Sequence, residues 1–99
     1  RAWAPTTEER AMAAKTARQV MQWVNDDIVR RERLQEYVVS VWKERVPRQN
    51  VEEMDDVQLL ANVCGVTWST ARRWMTGKRT APPSAIRLVE VVATYFEAW

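Results

Sequence analysis

Five cations stand between Val57 and Val89 with no acid among them: Arg72, Arg73, Lys78, Arg79 and Arg87. Asp55, Asp56 and Glu90 bound this block on either side. A one-sign cluster of guanidinium and ammonium groups suits a polyanion whose phosphates need neutralising. Ser69, Thr70 and Thr76 add hydroxyls that donate and accept hydrogen bonds. The chemistry on offer is recognition rather than bond-making. The chain has no histidine and one cysteine, Cys64, so Cys/His, His/Asp and His-metal constellations are all missing. The acids that could move protons sit in mixed-charge helical runs with no assembled partner. No enzyme activity, cofactor or metal is expected, and no small-molecule ligand is evident.

Something must hold those cations on one surface, and the stretch Ala61–Pro82, ANVCGVTWSTARRWMTGKRTAP, has the pattern to do so. Leu60, Ala61, Cys64, Val66, Ala71 and Trp74 are apolar with polar and cationic residues between them, as in two short helices around a tight turn. Gly65 stands where the chain reverses, a place for positive φ. Val66 plugs the corner, and Thr67 is suited to cap the second helix by accepting from its orphan amides. In that helix Ala71 and Trp74 face inward. Ser69, Arg72, Arg73 and Thr76 fall at i, i+3, i+4 and i+7 on the other side. The pattern is that of a helix-turn-helix, and the expected partner is double-stranded DNA.

Ala61, Gly65, Val66, Ala71, Trp74, Gly77, Lys78 and Pro82 together resemble the helix-turn-helix of the Cro and cI phage repressors, over roughly residues 57–83. Ala71 stands where that family more often has Val or Ile, and Trp68 where it usually has a polar residue, often Gln. The resemblance implies a sequence-specific transcriptional regulator, phage- or prophage-derived, that lays the helix Thr67–Thr76 in the major groove. Carried over residue by residue, it implies base contacts from Trp68, Ser69 and Arg73, and phosphate contacts from Thr67, Thr70, Arg72, Lys78 and Arg79. Arg73 is the foremost candidate for a bidentate pair with guanine. Trp68 either meets a thymine methyl or packs on its own protein. The resemblance also implies a homodimer on two half-sites about 10 bp apart. The competing reading is a helical protein–protein interaction adaptor that binds no DNA.

The remaining chain has to build the support. Ninety-nine residues make one domain, 1–99, and the 46% apolar content with six tryptophans marks it as globular. Net charge is only +2, but residues 1–54 hold ten cations against nine acids, so the positive excess lies in the second half. No apolar run approaches the roughly 20 residues of a membrane span, and nothing at the start reads as a signal peptide. Those two features and the lone cysteine lead us to expect a cytoplasmic protein. The start at Arg1 rather than Met suggests trimming.

The expected fold is all-α with about five helices: an N-terminal amphipathic pair over 6–46, then the helix-turn-helix and an apolar last helix over 55–99. Thr6 with Glu9 has capping-box spacing, Thr7 being the alternative cap. From there a helix with Ala13 and Ala17 on a small-residue face would run through the stripe Val20, Val24, Ile28. Asn25, Asp26 and Asp27 are suited to end it and cap the next; the alternative is one unbroken helix to about Arg45. The second helix carries Leu34, Val38, Val41 and Trp42 on one face, with Tyr37 beside them. Arg30, Arg31 and Arg33 read as a solvated face, or else as a reach to flanking phosphates. PRQNVEEM reads as a linker, and Asp55 or Asp56 as the cap of the next helix, with Val57, Leu60, Ala61 and Cys64 inward. Met12, Met21, Met75, Trp23, Trp42 and Trp99 read as packing residues, and Trp3 as loose unless it finds a pocket. In the last helix Ile86, Leu88, Val89, Val92, Tyr95, Phe96 and Trp99 occupy more than one face, which needs covering.

Overall fold

A computed structural model describes residues 15–97. They are all-α, as expected, and contain six helices and a short 3₁₀ turn: α1 (Ala17–Asn25), α2 (Ile28–Trp42), the 3₁₀ turn Lys43–Arg45, α3 (Arg48–Glu52), α4 (Asp56–Cys64), α5 (Trp68–Thr76) and α6 (Pro83–Tyr95). The cap at Thr6 or Thr7, Ala13, and the readings of Trp3, Met12 and Trp99 lie outside these residues.

The N-terminal helices are two, broken where the acids suggest. Asp27 is extended and its Oδ1 accepts from the Val29 amide at 2.9 Å, the N-cap of α2. Ile28 therefore does not continue the stripe of α1. It opens α2 and is 72% exposed. A single helix running from Thr6 into this stripe is also ruled out. Thr16 is extended (φ −83°, ψ 166°) and forms a reciprocal capping box with Gln19, a T-x-x-Q signal the sequence reading passed over. At the other end, α2 stops at Trp42, because Lys43 takes a positive φ of 51° and the chain tightens into 3₁₀ before Pro47.

α2 organises the bundle. Leu34 and Val38 are fully buried, and α2 packs on α1, α3, α4 and α6. Val41, expected on the same face, is half exposed at the last turn of α2. Tyr37 meets Phe96 edge to face, ring centres 5.4 Å apart, and the Trp42 indole donates to the Asn62 carbonyl at 3.0 Å. The supposed linker is partly helical: in α3 and just after it, Val51 and Met54 are buried in the core.

The three arginines of α2 are neither a solvated face nor free to reach outward, because each is spent on tying helices together. Arg30 lies over the Trp23 ring at 4.3 Å and donates to the Trp23 carbonyl. Arg31 donates to Asn25 Oδ1, to Asp56 Oδ1 at 2.8 Å and to the Met54 carbonyl at 2.7 Å, joining the end of α1 to the start of α4. Arg33 donates to the Ala93 carbonyl near the end of α6, where a cation also opposes the helix dipole. A fourth, Arg48 of α3, grips Glu36 with both nitrogens, which holds the Glu36 carboxyl below its ordinary pKa. Glu90 is buried in α6 and meets Lys15 at 3.5 Å.

α6 covers much of its apolar excess: Ile86, Val89 and Val92 are buried, while Leu88 and Phe96 are half-buried. Tyr95 is the exception, 76% exposed, and so to a lesser degree is Val91. Among the described residues no helix is long and apolar enough to cross a membrane.

Candidate nucleic-acid interface

α4 and α5 meet through a turn whose every residue has a visible task. Asp55 is the cap of α4, accepting from the Gln58 amide at 2.8 Å. Leu59, Leu60, Ala61 and Val63 are buried; Leu59 and Val63 were not anticipated, and Val57 and Cys64 are only half-buried. Gly65 ends α4 in the left-handed region at φ 68°, and the Val66 amide donates back to the Ala61 carbonyl at 3.0 Å. No atom lies within 4 Å of where a Gly65 side chain would begin, so glycine serves the backbone angle here and not a close approach.

Thr67 then caps α5, its Oγ1 accepting from the Thr70 amide at 3.2 Å. The two hydroxyls are also bonded to each other at 3.0 Å, which leaves one hydroxyl proton for an outside acceptor. Ala71 and Trp74 are the buried residues of α5, which packs on α4 and α1. The Trp74 indole N–H is buried with no acceptor among the described residues. Cys64 touches the Ala85 carbonyl at 3.9 Å, and burial pushes its thiol up from 9.0 to about 11. It is a protonated packing residue at neutral pH, not a nucleophile.

Opposite Ala71 and Trp74, Ser69 and Thr76 lie near the middle of the outward face, with Arg72 and Arg73 on its two flanks. Ser69, Arg72, Arg73 and Thr76 are exposed, Trp68 is 49% exposed, and Thr70 is half-buried. Thr76 Oγ1 is turned back to the Arg73 carbonyl. Gly77 ends α5 at φ 81°, and the Arg79 amide donates to the Arg73 carbonyl at 3.2 Å, so the loop bearing Lys78 and Arg79 is fastened to the last turn of α5. Both side chains are exposed.

The ion pairs among the described residues are Lys15–Glu90, Arg31–Asp56 and Arg48–Glu36. Arg72, Arg73, Lys78, Arg79 and Arg87 pair with no carboxylate there. Trp68, Ser69, Arg72, Arg73, Lys78 and Arg79 thus share one helix and the loop fastened to it, while Thr67 and Thr70 are partly committed to the cap. One contact was missed in the sequence although its i, i+4 spacing was there to see: the Arg72 guanidinium lies over the Trp68 ring, 5.5 Å from its centre. Among the described residues no group of three or more His, Cys, Asp or Glu could hold a metal ion.

No protein family model matches this chain, and neither the curated proteins nor the solved structures include a significant match to it.

Proposed function

We propose that this chain is a sequence-specific regulator that binds double-stranded DNA by laying α5 in the major groove, with Lys78 and Arg79 on the flanking phosphates. The observation that carries the reading is the outward face of α5 with its loop: four exposed cations that no carboxylate among the described residues opposes, on a helix whose other face is held by packing. Elsewhere Arg30, Arg31, Arg33 and Arg48 are engaged within the protein; Arg18, Lys43, Arg45 and Arg87 are exposed and unpaired among the described residues as well, but Lys43 and Arg45 flank Glu44, whereas no acid stands between Val57 and Val89. The resemblance to the Cro and cI repressors supports the same orientation, with the first turn of α5 nearest the base edges. Ser69, at the centre of the face, is a reader of bases in this scheme, with Arg72 and Arg73 beside it.

A homodimer belongs to the proposal, since one module of this size buries a small interface. Val91 and Tyr95, one turn apart and exposed on α6, are the apolar residues best placed to join two copies. An apparent mass near twice 11.6 kDa at micromolar concentration is expected; 11.6 kDa contradicts the dimer.

The function itself is tested by titrating random duplex DNA with the chain at several salt concentrations. With four cations available per chain, log affinity should fall with log salt at a slope of about −3 to −4 for each chain bound. Affinity that is absent, or indifferent to salt, leaves the adaptor reading in its place.

A further inference from the structure

The four cations are not equivalent, and the difference assigns them different tasks. Arg72 has a ring against it: its guanidinium lies over the indole of Trp68, 5.5 Å from the ring centre and one helical turn earlier on the same flank. Among the described residues, Arg73, Lys78 and Arg79 have no aromatic ring or carboxylate against their charged groups. Reading a guanine requires a guanidinium whose plane is set, because two parallel hydrogen bonds to O6 and N7 must form together. Meeting a phosphate requires only a positive charge within reach, which a mobile side chain supplies. A side chain fixed before binding also loses less freedom on docking.

Resting on the DNA-binding reading above, we infer that Arg72 is the guanidinium that reads a guanine, that Trp68 is its positioning residue, and that Arg73 serves a phosphate. This exchanges the roles that the repressor resemblance gives the two arginines. Trp68 is at the first position of α5 and only half covered. Its remaining exposed surface can meet the methyl group of a thymine beside that guanine, which joins the two residues into one unit reading adjacent bases.

The experiment uses the full chain and proceeds in two stages. Binding sites are first selected by the wild-type chain from a random duplex pool. Affinities are then measured for the selected site and for every single base-pair change in it, with the wild type and with Arg72→Ala, Arg73→Ala, Trp68→Ala and Trp68→Phe. All four substitutions are at exposed positions, and circular dichroism confirms that each variant is folded. Arg72→Ala is expected to erase discrimination at one G·C pair, a loss of roughly ten- to a hundredfold in preference. Arg73→Ala should weaken all sites alike and flatten the salt slope by about one. Trp68→Ala should lose preference at the same G·C pair and at a neighbouring T, Trp68→Phe should retain most of it, and Trp68→Ala with Arg72→Ala together should do little more harm at that pair than Arg72→Ala alone. Replacing that thymine by uracil, which removes only the methyl, should weaken wild-type binding and leave Trp68→Ala indifferent.

If Arg73→Ala erases the base preference and Arg72→Ala acts uniformly, the assignment is overturned while DNA binding stands. Independent, additive losses from Trp68→Ala and Arg72→Ala overturn the positioning role. A wild-type chain that binds no duplex overturns both this assignment and the reading beneath it.

Discussion

Lys78→Ala combined with Arg79→Ala is expected to reduce affinity for random duplex DNA roughly sixtyfold at about 0.1 M salt, each lost cation removing about 0.9 decade. Both residues are exposed in the loop after α5, and neither pairs with a carboxylate among the described residues, so folding loses nothing of note with them. The salt slope should become shallower by about two for each chain bound, and the thermal midpoint should stay within about a degree or two of the wild type. Because a backbone contact carries no sequence information, the ranking of one duplex over another should be unchanged. Isotherms collected at several salt concentrations check all of this. A double variant with wild-type affinity would move the electrostatic contact away from this loop.

Leu34→Ala acts on the other half of the account, the bundle that presents the face. Leu34 is fully buried in α2, between the helices that meet there, and its truncation leaves a cavity that close-packed neighbours fill only in part. The expected loss is about 3 kcal/mol, within the range of about 2–5 seen for such changes. That is a large share of the roughly 5–15 kcal/mol of a small domain. A urea titration should show a lower midpoint with an unaltered slope. Under conditions where the variant is still folded, its duplex affinity should equal the wild type's, because Leu34 is nowhere near the outward face of α5. A loss below about 1 kcal/mol would mean that Leu34 is not enclosed as described.

The two variants separate what the sequence disclosed from what it concealed. The turn between α4 and α5 was legible because its signals are local: a glycine at a left-handed position, a threonine cap, and apolar residues at helical spacing. The break at Asp27 was legible for the same reason. Tertiary partners were not. Arg30, Arg31 and Arg33 look like any charged helix face until Trp23, Met54 and Ala93 are brought to them by folding, and no spacing rule announces a guanidinium that joins residues 31 and 56. The stretch 48–52 was too short and too polar for periodicity to register, though Val51 reaches the core from it. Tyr95 falls with Val91 on the side of α6 turned from the core, and Val41 is half exposed although its spacing from Leu34 and Val38 suits burial. The pair Trp68 and Arg72 lies between these cases. Its i, i+4 spacing was visible, while the rotamers that bring ring and guanidinium together were not.

Backbone amide shifts recorded while a short duplex is titrated into the chain would locate the contact residue by residue. The account predicts that the largest changes fall between Thr67 and Arg79, with the outward positions Ser69, Arg72, Arg73 and Thr76 among them, and only slight ones along α2 and α3. Changes centred on α2 or on the segment 43–54, or a spectrum that the duplex leaves untouched, would contradict it.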